Sequence, residues 1–180
     1  AQAVGPEGQV SGVDFNDAML DLARKDLGGF EQATGLRNLR FVKGRIQDLA
    51  LDLERAQAWL DAHPVRTLED LSRFEADQDR WRRQEPLIPD ASVDVVVSNC
   101  VLNLVVPRDK RHTFSEIHRV LRGGGRAVVS DIVCDEEPDA NLRDDPELWS
   151  GCLSGAFREE ALLGAFAAYR HTEAMSNALD

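Results

Sequence analysis

The sequence predicts an α/β protein organised around a parallel sheet, and three observations carry the prediction. Short β-branched runs alternate along the chain with longer stretches of helical spacing, the order that yields a parallel sheet with helical crossovers. One run, Val93-Asp94-Val95-Val96-Val97, is apolar enough to be a buried central strand. Glycines, prolines and short polar residues punctuate the segment ends.

The elements follow in order. Residues 1–4 read as a last helical turn closed by Gly5 and Pro6. Residues 9–14 form a short strand ending in Asp14, and residues 16–27 carry Ala18, Met19, Leu22 and Ala23 at helical spacing until Gly28-Gly29 stops them. Leu39-Arg40-Phe41-Val42-Lys43 alternates as a second strand. The charged, helix-favouring stretch at about 49–86 reads as a helical insertion divided by Pro64, in which Trp59 and Trp81 pack the helices together. Beyond the Val93 run come Ser98-Asn99-Cys100, an amphipathic stretch at 108–121, the stop Gly123-Gly124-Gly125 and a β-branched strand at 126–133. Two further helices are expected at 144–149 and 158–169, followed by a polar tail from His171.

The 180 residues are 43% hydrophobic, enough for a single core without disulfides or structural metal. Acidic side chains outnumber basic ones 32 to 21, a formal net charge of -11. That balance works against nucleic acid or an anionic membrane as a partner, because both recruit clustered Lys and Arg. No run of about 18 apolar residues is present to span a bilayer, and the basic-then-apolar layout of a secretion signal is missing, so the chain reads as cytoplasmic. Cys100, Cys134 and Cys152 are odd in number and widely spaced, which suits reduced thiols. His63, His112, His118 and His171 lack ligand spacing and default to solvated surface.

In an open parallel sheet, ligands sit at the carboxyl ends of the strands. That rule singles out Asp14, residues 44–48, residues 98–101 and Asp131 onward. A carboxylate placed as Asp14 is can accept both hydroxyls of a ribose, and it can equally cap a helix. In the 44–48 stretch an apolar side chain can cover an adenine face while a polar neighbour reads its edge; an ordinary turn explains the same residues.

Three groups of residues are more specific together than apart. They are Gly8, Val10, Gly12 and Asp14 at alternate positions; Pro89-Asp90, Ser92 and Asp94 through Asn99; and Glu116, Arg119-Val120-Leu121-Arg122 and Gly124-Gly125. In this order and spacing they resemble the successive motifs of class I S-adenosylmethionine-dependent methyltransferases. The resemblance implies a Rossmann-like methyltransferase fold with a partial core at 1–133, the helical insertion between its third and fourth strands, and a substrate-side segment with a truncated C-terminal region at 134–180. It also implies S-adenosylmethionine as cofactor. Asp14 would bind the ribose, Phe15 and Met19 would lie beside the adenosine, Ile46 and Gln47 would frame the adenine, and Asn99, Cys100 and Val101 would line the methionine side.

A narrower likeness lies in Ser98-Asn99-Cys100-Val101-Leu102-Asn103-Leu104-Val105 and in Glu147-Leu148-Trp149-Ser150-Gly151-Cys152-Leu153-Ser154-Gly155-Ala156. Both segments are similar to those of arsenite methyltransferases, which place one cysteine after the fourth strand and another in such a tryptophan-containing, glycine-rich segment. The likeness implies a small-molecule substrate, arsenite or its thiol conjugate, held by Cys100 and Cys152. Thiolates suit a soft, thiophilic centre, and sulfur-bound trivalent arsenic keeps a lone pair for an activated methyl group. The protein's share would be positioning and exclusion of water. Cys134 has no comparable flanks and is expected to be incidental.

The sequence also departs from the family pattern. No glycine-rich loop precedes Asp14; if Asp14 ends the second strand, that loop belongs before Ala1, together with a further cysteine that arsenite enzymes supply from the same side. Gln47 stands where an acid is often found, and no convincing strands follow Ala165-Phe166-Ala167-Ala168. The expectation is therefore an incomplete domain of a longer enzyme. Two other readings stay open: methyl transfer to a small organic acceptor with the cysteines merely packed, and a non-catalytic module that retains the fold. A dehydrogenase is disfavoured, since the glycine-rich dinucleotide fingerprint is missing.

Overall fold

The computed structural model describes residues 1–136 and 145–168. The chain divides into two compact units, Ala1–Pro89 and a second that begins at Asp90. Each is built on parallel strands accompanied by helices.

In the first unit a 3₁₀ turn, Gln2–Val4, closes at Gly5. Strand β1 (Val10–Asp14) then runs parallel to β2 (Leu39–Lys43), with Gly12 opposite Phe41 and Asp14 opposite Lys43. Helix α1 (Asp17–Lys25) is capped by the Asn16 side chain, which accepts the N–H of Ala18, and it packs on both strands with Leu20 buried. The expected stop at Gly28-Gly29 is corrected: α2 (Leu27–Thr34) contains both glycines and ends at Gly35, whose φ of 71° is left-handed. Interior glycines cost a helix about 1 kcal/mol each without ending it, and Gly35 supplies the left-handed residue that is one common form of helix end.

The insertion is a pair of helices, α3 (Leu53–Ala62) and α4 (Leu68–Gln84). Asp52 caps the first, and Thr67 and Asp70 form a reciprocal capping box at the start of the second. Leu51, Ala56 and Trp81 make a buried cluster, with Leu53, Trp59 and Phe74 packed against it. Trp59 satisfies its ring N–H on Asp77 Oδ2 at 2.9 Å. Both tryptophans therefore pack the insertion, as its apolar stripes predicted. The chain returns through Leu87 and Ile88, whose N–H groups bond the carbonyls of Ala50 and Leu49.

In the second unit β3 (Val93–Asn99) pairs in parallel with β4 (Leu121–Ser130), and α5 (Pro107–Val120) connects them while burying Phe114, Ile117 and Val120. Three expectations are corrected here. The glycine run at 123–125 lies inside β4, where the register jumps from Val93 opposite Leu121 to Val95 opposite Arg126 and Gly124 adopts a φ of 79°. The surplus residues are absorbed as a bulge. β3 is not buried on both faces, since Val95, Val97 and the neighbouring Val128 are 51%, 73% and 54% exposed. An apolar run alone does not distinguish a strand covered on both faces from one covered on a single face. Finally, the strand expected at 126–133 breaks at Asp131-Ile132; Val133 belongs to β5 (Val133–Cys134), which pairs in parallel with β6 (Phe157–Arg158).

Two short helices complete the described chain, α6 (Pro146–Ser150) and α7 (Glu159–Ala168). Phe166 of α7 meets the Phe114 ring edge-on at 4.9 Å. The expected helix boundaries at Asp144 and Tyr169, and His171 with the tail, lie outside the described residues. Among the described residues no helix is long and apolar enough to cross a membrane.

Candidate functional site

In the first unit, the residues that follow β1 and β2 are tied together. Asp14 Oδ1 accepts the N–H of Asn16 at 2.9 Å, and the Asp14 carbonyl accepts the N–H of Gly44 at 2.9 Å. The helix cap is Asn16, so Asp14 keeps its Oδ2 without a partner among the described residues. Phe15 and Met19 stand beside it in sequence, 64% and 51% exposed, large apolar side chains presented to solvent. Ile46 and Gln47 are half-buried in a turn closed by the N–H of Asp48 on the Arg45 carbonyl. Asp48 Oδ2 in turn accepts Nε and Nη2 of Arg82 at 3.1 and 3.0 Å, so α4 of the insertion grips this turn.

In the second unit, Asn99 is the last residue of β3, and Cys100 follows with its N–H on the Ser130 carbonyl at 2.8 Å. Val101 leads into a 3₁₀ turn, Leu102–Leu104. Cys152, from the other flagged segment, donates its Sγ proton to the backbone carbonyl of Cys100 at 3.2 Å. Two cysteines remote in sequence are thereby brought side by side, Cys100 exposed and Cys152 buried. Cys134 is half-buried on β5, its Sγ 3.8 Å from the Ala156 carbonyl. Among the described residues no group of three or more His, Cys, Asp or Glu is gathered as a metal cage.

The backbone around both thiols is unusual. Cys100 and Cys152 have φ of 52° and 62°, left-handed values that a Cβ disfavours. At Cys152 the cause is local. Leu153 donates to the Leu148 carbonyl and Cys152 to the Trp149 carbonyl, the bonding of a Schellman motif at the end of α6. In that motif the left-handed position usually belongs to glycine. The glycine of this segment, Gly151, lies one residue earlier with φ of -81°, and the cysteine takes the strained place.

A model of the methyltransferase domain family matches residues 1–170. The chain belongs to this family. Among relatives of this methyltransferase domain, the arsenite methyltransferase of Aquipseudomonas alcaligenes is 33% identical over 87% of the chain, and that of Homo sapiens 30% identical over 91%. In each case the chain spans 35% of the relative's own length. Among solved structures, an arsenic(III) S-adenosylmethionine methyltransferase from Chlamydomonas reinhardtii superposes with a TM-score of 0.65 at 27% identity, covering 94% of this chain and 45% of the other. The MccD protein, at 12% identity and a TM-score of 0.52, shares the fold, covering 89% of this chain and 53% of its own. The Rossmann-like methyltransferase fold expected from the motifs is thus the fold of the chain, with the helical insertion as two helices between β2 and β3.

Two residues of the methyltransferase domain with no assigned role in the sequence reading support the cysteine pair. Asp131, just past β4, accepts the N–H groups of Leu102 and Asn103 on Oδ2 at 2.9 and 3.3 Å, capping the turn that follows Cys100. Asn103 is wholly buried, and its Nδ2 donates to the carbonyls of Ile132 and Cys152 at 2.7 and 3.1 Å. The only sequence signals were the strand-end position of Asp131 and the place of Asn103 within the Asn-Cys-Val-Leu-Asn run. Burial holds the Cys152 thiol above its ordinary pKa, and the nearby Asp131 carboxylate and Cys100 push the same way. At neutral pH Cys152 is therefore a neutral thiol.

Proposed function

We propose that this chain serves S-adenosylmethionine-dependent methylation of trivalent arsenic, with Cys100 and Cys152 holding the arsenic. The observation that carries the reading is the Cys152 thiol seated on the Cys100 carbonyl. Two adjacent thiols can displace two hydroxyls of arsenous acid. Each thiol proton leaves with one hydroxyl as water, two As–S bonds replace two As–O bonds, and no redox change is required. Because Cys152 starts neutral, it carries the proton that leaves with the displaced hydroxyl as water. The arsenite methyltransferases among its relatives support the same substrate class.

The residues of the first unit fit the cofactor. Asp14 has a carboxylate oxygen without a partner among the described residues, suited to ribose hydroxyls, while Phe15 and Met19 offer exposed apolar surface to the adenosine. Ile46 and Gln47 would frame the adenine, and Asn99, Cys100 and Val101 would line the methionine side. When bound, S-adenosylmethionine supplies a methyl group that is already activated. The chain's own task is to bind and orient the arsenic and exclude water from it. Free thiols suit a reducing compartment, so the place of action would be the cytoplasm, and the acidic surface favours a small-molecule substrate over nucleic acid.

The test is calorimetric titration of arsenite into the protein and its Cys100→Ser and Cys152→Ser variants, with S-adenosylhomocysteine titrated separately. Each serine should weaken arsenite binding by at least about tenfold through loss of the second tether. Unchanged affinity in both variants overturns the arsenic assignment, and the absence of saturable S-adenosylhomocysteine binding overturns the cofactor assignment.

A further inference from the structure

We infer that Asn103 is a positioning residue, an amide clamp that holds the Cys152 thiol against Cys100; its functional meaning rests on the arsenic reading above. Asn103 belongs to the turn that starts two residues after Cys100, so the chain itself fixes it relative to that cysteine. Across the gap, its Nδ2 grips the carbonyl of Cys152 at 3.1 Å while also gripping that of Ile132 at 2.7 Å. A second contact points the same way. Gly155 lies so close to the backbone carbonyl of Asn103 that a Cβ there would collide with it. The segment from Cys152 to Gly155 is thus hydrogen-bonded to Asn103 at one end and packed closely against its backbone at the other.

The chemistry of the clamp is restrictive. Both acceptors are carbonyl oxygens, so one side-chain atom must present two N–H bonds, and an amide of this length does so. Aspartate has the same shape but would set oxygen against oxygen. At the other end of the amide, Asn103 Oδ1 is buried with no hydrogen-bond partner among the described residues. A buried, unsatisfied carbonyl is unfavourable, and an apolar residue would avoid it. Keeping asparagine there is explained by the two donors on Nδ2.

The experiment uses the full chain with Cys134→Ser, so that two thiols remain, and follows alkylation by iodoacetamide peptide by peptide. With the clamp intact, buried Cys152 should react far more slowly than exposed Cys100. Asn103→Asp should raise the Cys152 rate by about tenfold or more, as loss of two buried hydrogen bonds implies, and leave the Cys100 rate within about twofold. Asn103→Ala, which removes the donors without adding charge, should act in the same direction. An unchanged Cys152 rate, or a rise shared equally by both cysteines, overturns the clamp. Phenylarsine oxide binding separates the two ideas: wild-type affinity no greater than that of Cys152→Ser sinks the arsenic reading whatever the alkylation shows. If the dithiol binds, Asn103→Asp should weaken phenylarsine oxide by about tenfold in the wild-type background and hardly at all beside Cys152→Ser, a non-additivity that general loosening would not produce.

Discussion

Replacing Cys152 by alanine and by glycine should invert the usual ranking of those residues. Both variants lack the thiol, so their difference isolates the backbone. At an ordinary position glycine is less stable than alanine by roughly 0.5–1 kcal/mol, because the unfolded chain is freer. At a φ of 62°, a Cβ costs about 1–2 kcal/mol that glycine does not incur. The second effect exceeds the first, and glycine should be favoured by about 0.5–1 kcal/mol, or roughly two- to fivefold in a local opening equilibrium. The amides of Leu153 and Ser154 are suitable reporters, since both bond the Leu148 carbonyl across the left-handed residue. Hydrogen exchange measured on the peptide spanning 147–158 should be slower for Cys152→Gly than for Cys152→Ala. Equal rates, or slower exchange in the alanine variant, would refute the claim that this cysteine occupies a glycine position under strain.

Two further outcomes follow from other parts of the chain. Trp81, 4% exposed at the centre of the insertion cluster, should cost about 3–5 kcal/mol when cut to alanine, read as a lower urea midpoint of the α-helical circular dichroism signal. The Cys152 thiol has a folded pKa raised above its unfolded value of about 8.5, so its contribution to stability is complete below that pH and is lost as pH rises through the folded value. Denaturation midpoints should therefore fall more steeply above about pH 8.5 in the wild type than in Cys152→Ser, and parallel curves would contradict the burial of this thiol.

Much of the architecture was legible because it rests on local patterns. Alternation in Leu39-Arg40-Phe41-Val42-Lys43 marked β2, apolar spacing around Trp59 and Trp81 marked the insertion, and the flanks of Cys100 and Cys152 singled out two cysteines that lie together, the Cys152 thiol on the Cys100 carbonyl. What stayed hidden depends on tertiary context. Gly28-Gly29 looked like a helix stop because glycine is a weak helix former, yet both lie inside α2 and it is Gly35 that ends the helix in the left-handed conformation. The valines of β3 looked buried on both faces because an apolar run carries no record of which side is covered. The grip of Arg82 on Asp48 joins residues 34 apart across the insertion, and no spacing rule connects them.

The same difficulty applies to the cysteine pair, where the nearest sequence cue points to the wrong residue. Gly151 invites the reading that glycine takes the left-handed end of α6, with Cys152 in relaxed backbone beyond it. The observed geometry is the reverse, and Cys100 repeats the left-handed conformation at the end of β3. Such conformations persist when the surroundings over-determine them. Here the determinants are nameable: the Ser130 carbonyl on the N–H of Cys100, the Asp131 carboxylate on the following turn, the Schellman bonds at Leu148 and Trp149, and the Asn103 amide on the Cys152 carbonyl. The left-handed backbone at Cys152 thus follows from the way α6 ends, and the contacts that hold it there also seat its Sγ on the Cys100 carbonyl.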